Sequence, residues 1–271
     1  MVSFPNCKIN IGLHITRRRQ DGFHDLETVF YPLPFCDALE LLQSDTGTQL
    51  YLYGQTIPGN EADNIVLKAF HLLKKDFSTL PDVAIHLLKN IPVGAGLGAG
   101  SANGAFALKM LNEMFGLQIP EDRLLQYALQ LGSDCPFFIY NRPCYAHGRG
   151  ENLTPLALDL SGYQIVVINP GIHISTPWAF KQIKPALPSW QLSNLPNIPV
   201  TSWKDYVIND FEEVVFKEYP VVANIKQTLY DCGAVFALMS GSGSTVYGLF
   251  AKGDLSLPAF PETYFVKAIR L

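Results

Sequence analysis

Residues 90–111, NIPVGAGLGAGSANGAFALKML, place glycine at 94, 96, 98 and 100 and then run straight into a segment of helical composition. Ordering glycine costs about 0.5–1 kcal/mol relative to alanine where alanine would fit, so four at alternate positions imply a backbone that must bend sharply or approach something closely. The preceding VAIHLLKN reads as a strand. Strand, glycine loop and helix in that order gather unpaired N–H groups at a helix start, where the dipole adds positive potential; phosphate is the usual guest. The P-loop pattern G-x-x-x-x-G-K-[ST] fails, because no lysine follows any of these glycines. The dinucleotide fingerprint matches formally at Gly94, Gly96 and Ala99, but the acidic residues that should end a second strand, Glu121 and Asp122, fall at a helix start instead. The plain structural alternative is a loop that lets a helix pack tightly on a sheet.

A length of 271 residues fits two modest domains, and 48% hydrophobic with 16% charged residues is the composition of a compact globular chain. The net charge of −4 argues against a nucleic-acid surface. No apolar run approaches the roughly 18 residues of a membrane span, and the alternating N-terminal segment lacks the layout of a signal peptide. A cytoplasmic protein without nucleic-acid or membrane partners is expected. Five scattered cysteines and six histidines show no ligand spacing, so free thiols and no protein-held metal are expected.

KINIGLHIT alternates Ile9, Ile11, Leu13 and Ile15 with Lys8, Asn10, Gly12, His14 and Thr16, a strand of period two with one polar face. The Asp21-Gly22 turn predicts a hairpin with FHDLETVFYPL, whose basic tip reads as a solvated loop. DALELLQ and QLYLYG read as strands, and EADNIVLKAFHLLKKDF as a helix capped by Asp63 or Asn64. SANGAFALKMLNEMFG and PEDRLLQYALQLG read as two more helices. Beyond residue 158 come a strand in YQIVVINPG, a helix start at STP, a Pro-rich surface excursion over 185–203, two strands around the SGSGS turn and a last strand in TYFVKAI.

PVGAGLGAGSA, residues 92–102, resembles the P-x-x-x-G-L-G-S-S-A motif of the GHMP kinases, whose loop wraps the triphosphate of ATP. The blocks KINIGLHITRRRQDGFHDLETVF, LGSDCPFF, GRGENLTPL, PGIHISTPWAF, NDFE and SGSGSTVY narrow the likeness to one branch. Its members phosphorylate the C2 hydroxyl of a cytidine-diphosphate derivative of methylerythritol on the non-mevalonate isoprenoid route. The resemblance implies an α+β, two-domain GHMP kinase fold: a ribosomal protein S5 domain 2-like N-terminal domain over 1–158 and a ferredoxin-like C-terminal domain over 159–271. It also implies ATP as phosphoryl donor, Mg²⁺ carried with the nucleotide, in-line transfer without a phospho-enzyme, and a small-molecule partner bearing cytidine diphosphate. Oligomeric state is not implied.

Residue by residue, the resemblance makes Asp134 the base for the acceptor hydroxyl and Lys8 the lysine beside it. Pro92, Val93, Gly94, Ala95, Gly96, Leu97, Gly98, Ala99, Gly100, Ser101 and Ala102 form the phosphate loop, with Asn64 and Lys89 near the adenosine. Phe23 and Phe180 stack on the cytosine, His24 reads its edge, and Asn10 and Thr176 line the same cleft. Phe23 stands where the family has tyrosine, and Ala102 where it commonly has a second serine. Read alone, Asp134 before Cys135-Pro136 is a turn or cap residue, Lys8 an exposed strand lysine, and Thr176 before Pro177 a helix cap. Competing functions are a GHMP kinase for another small alcohol such as homoserine or mevalonate, a non-catalytic nucleotide-binding relative, and, more distantly, a dinucleotide-dependent oxidoreductase.

Overall fold

A computed structural model describes all 271 residues. Twelve strands and seven α-helices alternate along the chain: β1 Val2–Ser3, β2 Asn6–Arg18, β3 His24–Cys36, β4 Ala38–Gln43, β5 Gln49–Gly54, α1 Ile65–Asp76, β6 Val83–Lys89, α2 Ala99–Met114, α3 Glu121–Leu131 and α4 Cys135–Tyr140. There follow β7 Cys144–Gly148, β8 Asn152–Pro155, β9 Tyr163–Asn169, α5 Thr176–Gln182, α6 Phe211–Glu218, α7 Pro220–Asp231, β10 Phe236–Met239, β11 Val246–Ala251 and β12 Phe265–Arg270. No helix is long and apolar enough to cross a membrane. By contacts the chain divides into two compact units: Met1–Cys7, Phe35–Val93 and Gly98–Asn141 in the first, Lys8–Pro34, Gly94–Leu97 and Arg142–Leu271 in the second. The chain passes between the two units several times.

The first unit holds a sheet in the order β1-β4-β6-β5. β5 and β6 run parallel, which requires a crossover, and α1 supplies it. Asn64 caps α1, its Oδ1 accepting the Val66 N–H at 3.1 Å, and the helix buries Val66, Ala69, Phe70 and Leu73 at helical spacing. α2 is buried over much of its circumference through small residues. At Gly104 an added Cβ would lie 2.8 Å from Ile65 Cγ1, so this glycine lets α1 and α2 approach closely.

The second unit contains two antiparallel sheets, β2-β3-β7-β8 and β10-β11-β9-β12. The expected β2–β3 hairpin forms, with Gly22 at φ +86° in its turn. Its tip is more than a solvated basic loop: Asp25 pairs with Arg17 at 2.6 Å and with Arg19 at 3.1 Å. β2 departs from strict alternation. The N–H groups that leave it for partners outside its own sheet are those of Lys8 and Asn10 before Gly12, and those of Leu13 and Ile15 after it. The phase shifts by one residue at Gly12, whose φ is +76°, as in a β-bulge. Leu13 and Ile15 consequently join the core with Val166, Ile168 and Met239, while Lys8 and Asn10 are left for other work.

The segment 185–203 is a surface excursion only in part: its first residues stay largely exposed, Leu187 at 83%, and the rest is anchored in the core. It folds as a 3₁₀ helix over Leu192–Asn197, with a second following over Val200–Asp205, and Leu192, Leu195 and Trp203 are fully buried. Trp203 meets Phe236 edge-on at 5.5 Å. The NDFE block is scaffolding: Asn209 Nδ2 donates to the Met239 and Gly241 carbonyls at 2.8 Å each, and Asp210 accepts the Ile15 N–H at 2.7 Å. Glu212 accepts the Met239 N–H at 2.9 Å and Lys226 Nζ at 2.6 Å. All five thiols are free, as expected.

Candidate active site

In the first unit a cleft of about 420 Å³ is lined by Asn64, Lys89, Val93, Gly100 and Ser101 of the expected nucleotide residues. That volume lies in the range of small-ligand sites. Asn64 already gives its carbonyl oxygen to the α1 cap. Lys89 is more heavily committed. Its ammonium donates to Asp37 Oδ2 and, at 3.0 Å, to Asn103 Oδ1. Both ends of the Lys89–Asp37 pair are closed to solvent, at 2% and 0% exposure. Burial pulls the Lys89 pKa down, against the upward pull of Asp37.

Asp37 collects further donors: Asn90 N–H at 2.8 Å and Ile91 N–H at 3.0 Å on Oδ1, and Asn103 Nδ2 at 2.9 Å on Oδ2. One carboxylate thus ties the residues just before the glycine loop to the first turns of α2 just after it. Nothing local marks Asp37, which reads in the sequence as the polar start of a strand.

Asp134 precedes α4, yet its side chain makes no capping bond to that helix, so the cap reading does not describe it. Beside it burial pushes the Cys135 thiol up to about 12, against the opposing effect of a hydrogen bond with Ser101. Cys135 therefore stays neutral next to Asp134. Ala102 is fully buried in α2, where a serine would have to bury its hydroxyl.

In the second unit Lys8 and Asn10 are both 3% exposed, so Lys8 is not the surface lysine that its strand position suggests. Lys8 Nζ donates to Asn10 Oδ1 at 2.6 Å and sits 4.7 Å above the Phe30 ring. Asn10 Nδ2 donates to Thr28 Oγ1 at 2.9 Å, and that hydroxyl in turn donates to the Gly12 carbonyl at 2.6 Å. The chain of donors fixes which way the Asn10 amide faces: oxygen toward the lysine.

The expected base-binding residues also lie in this unit. His24 and Phe180 stack on each other, centroids 4.9 Å apart and planes 19° off parallel, and Phe180 meets Phe211 edge-on at 5.0 Å. Burial, helped by the charge of Arg18, lowers the His24 pKa. Phe23 is 54% exposed, with the Arg149 guanidinium 4.9 Å from its ring centroid. Ser175, not Thr176, caps α5; the Thr176 hydroxyl instead meets Ser242 Oγ at 2.8 Å.

Residues 64–142 match the N-terminal domain of the GHMP kinases and residues 200–256 their C-terminal domain. The chain is also 52% identical over 267 residues to a 4-diphosphocytidyl-2-C-methyl-D-erythritol kinase of Bacteroides thetaiotaomicron, covering 97% of this chain and 95% of that one. The chain belongs to the GHMP kinases. As a GHMP kinase it is an ATP-dependent phosphotransferase with the family's mixed α/β fold. A solved 4-(cytidine 5'-diphospho)-2C-methyl-D-erythritol kinase superposes on this GHMP kinase with a TM-score of 0.78 at 30% identity, over 92% of this chain and 90% of the other. Homoserine kinase from Cytophaga hutchinsonii superposes with a TM-score of 0.65 at 16% identity, over 98% and 94%, a likeness of fold alone.

Proposed function

We propose that this GHMP kinase transfers the γ-phosphoryl group of ATP to the C2 hydroxyl of 4-diphosphocytidyl-2-C-methyl-D-erythritol. The observation that carries the reading is the full-length likeness, at 52% identity, to a kinase named for that substrate. The aromatic side chains of His24 and Phe180 suit a substrate bearing a base, which would take the place of the His24 ring on the Phe180 face; neither homoserine nor mevalonate offers one.

Phosphoryl transfer asks for positioning and charge stabilisation more than for covalent chemistry. In this reading Asp134 takes the proton of the acceptor hydroxyl, and Lys8, steered by Asn10, brings positive charge to that oxygen. The glycine loop with Ser101 receives the phosphates, and the cleft bearing Asn64 receives the adenosine. Lys89 serves there by holding the floor of the cleft through Asp37 rather than by offering its ammonium. His24 reads the cytosine edge as a neutral imidazole, with Phe23 and Phe180 on the base, and Thr176 lines the same pocket. Mg²⁺ would arrive on the nucleotide. In this reading the ion is held mainly by phosphate oxygens and water. The family domains are assigned to 1–158 and 159–271, and the protein to the cytoplasm.

The test is ADP release by purified protein with ATP, Mg²⁺ and the cytidine-diphosphate substrate, alongside homoserine and mevalonate. Release with the cytidylyl substrate alone is expected; release only with either small alcohol would overturn the assignment.

A further inference from the structure

A loop that binds phosphate must turn its N–H groups toward the anion and its carbonyl oxygens away, because an outward carbonyl would set a negative dipole against negative charge. Within Gly94–Leu97, which belongs to the second unit, two successive carbonyls are held by β2. The Leu97 carbonyl accepts the Lys8 N–H directly at 2.9 Å. The Gly96 carbonyl is held one step removed: Ser240 Oγ donates to it at 2.8 Å and itself accepts the Asn10 N–H at 3.1 Å. A hydroxyl offers one proton and two lone pairs, so Ser240 can do both at once.

The residue is 0% exposed and sits at the end of β10, in the SGSGS turn. Gly96 has φ +77°, and a Cβ there would run into the Ser240 carbonyl oxygen, so loop and turn are in close contact. Asn209 fixes the turn from behind through the Met239 and Gly241 carbonyls, and Tyr247 Oη holds the Asn10 carbonyl at 3.0 Å. In a trans peptide C=O and N–H point opposite ways. Holding the Gly96 and Leu97 carbonyls against β2 therefore turns the N–H groups of Leu97 and Gly98 outward, and neither donates to a protein acceptor.

We infer that Ser240 is a positioning residue for phosphoryl transfer: its hydroxyl locks the phosphate loop at Gly96 onto the strand that carries Lys8 and Asn10, and so aims the loop's N–H groups at the nucleotide phosphates. This rests on the proposed kinase reading and adds to it the residue that sets the loop's register against β2.

The experiment compares wild type, Ser240→Ala, Ser240→Thr and Ser240→Cys for binding of ADP with Mg²⁺, binding of adenosine, and steady-state kinetics. Ser240→Ala is expected to weaken ADP about tenfold and lower kcat about tenfold, from loss of loop alignment, while adenosine affinity and the KM of the cytidylyl substrate stay within twofold. Ser240→Thr, which keeps the hydroxyl, should recover most of both losses. Ser240→Cys fills the same space with a weak donor and should behave like Ser240→Ala, which keeps the test open if the alanine variant fails to fold. Wild-type ADP affinity and kcat in the alanine and cysteine variants would overturn the inference, as would equal weakening of adenosine and ADP, the mark of a merely structural role. Wild-type protein that bound no ADP would remove the kinase reading itself, a failure separate from these.

Discussion

Two lysines expected at the site are equally buried, 3% exposed each, yet their surroundings differ in kind. Lys89 in the first unit is locked to a carboxylate that also holds two backbone N–H groups and an asparagine. Lys8 in the second unit is oriented by a neutral amide whose own direction is set by a threonine hydroxyl. The buried Lys89 ammonium, bound to Asp37, is a tie between chain segments. Lys8 is ordered through the Asn10 amide and the Phe30 ring, and in the proposed reading it faces the acceptor hydroxyl. Burial and residue type do not separate these roles; the groups gathered around each ammonium do.

The largest effect that could break this contrast is on stability. Lys89→Met leaves the Asp37 carboxylate buried without its counter-charge and should destabilise the fold by about 3–5 kcal/mol, read as a lower urea midpoint, while the protein that remains folded keeps kcat within a few-fold. Lys8→Met should do the reverse, lowering kcat by about 10² or more with a smaller loss of stability. Asp134→Asn should match it in kcat, and the double variant should be little worse than either alone. If Lys89→Met lost kcat at unchanged stability, the two lysines would have to exchange roles. A smaller effect sharpens the role of the second unit: Phe180→Ala removes a stacking face and should raise the KM of the cytidylyl substrate about tenfold, leaving ATP binding unchanged.

The smallest effect is a pH dependence. The folded protein disfavours the charged form of His24, so its pKa lies below the ordinary 6.5. The contribution of the neutral ring is complete above that value and is lost as pH falls through the lowered folded-state pKa. The KM of the cytidylyl substrate should therefore be flat from pH 8 down to about 6.5 and rise only below it. His24→Asn should abolish the rise, and a rise centred above 6.5 would contradict the neutral assignment.

Local periodicity made much of the fold legible in advance. The hairpin at Asp21-Gly22, α1 behind Asn64 and the strands around SGSGS all follow from spacing and turn chemistry that neighbouring residues impose. What was not legible depended on partners distant in the chain. Asp37 shows its purpose only when Asn90, Ile91 and Asn103 surround it, and Ser240 only when Asn10 and Gly96 meet it. The bulge at Gly12 was hidden because a glycine inside an alternating pattern fits either phase. Proline and polar residues made 185–203 look like surface, yet Leu192 and Trp203 are core, and Leu192 packs against the very glycine that forms the bulge. At α5 Ser175 takes the cap through the Trp178 N–H, and the Thr176 hydroxyl, expected as the cap, goes to Ser242, a partner distant in the chain.

The most direct test of the central claim is the ³¹P NMR spectrum of the product formed from ATP, Mg²⁺ and the cytidylyl substrate. A new phosphomonoester resonance on the C2 oxygen, beside an intact cytidine diphosphate and one equivalent of ADP, is the expected result. Phosphate on any other oxygen, or ADP accompanied only by inorganic phosphate, would contradict it.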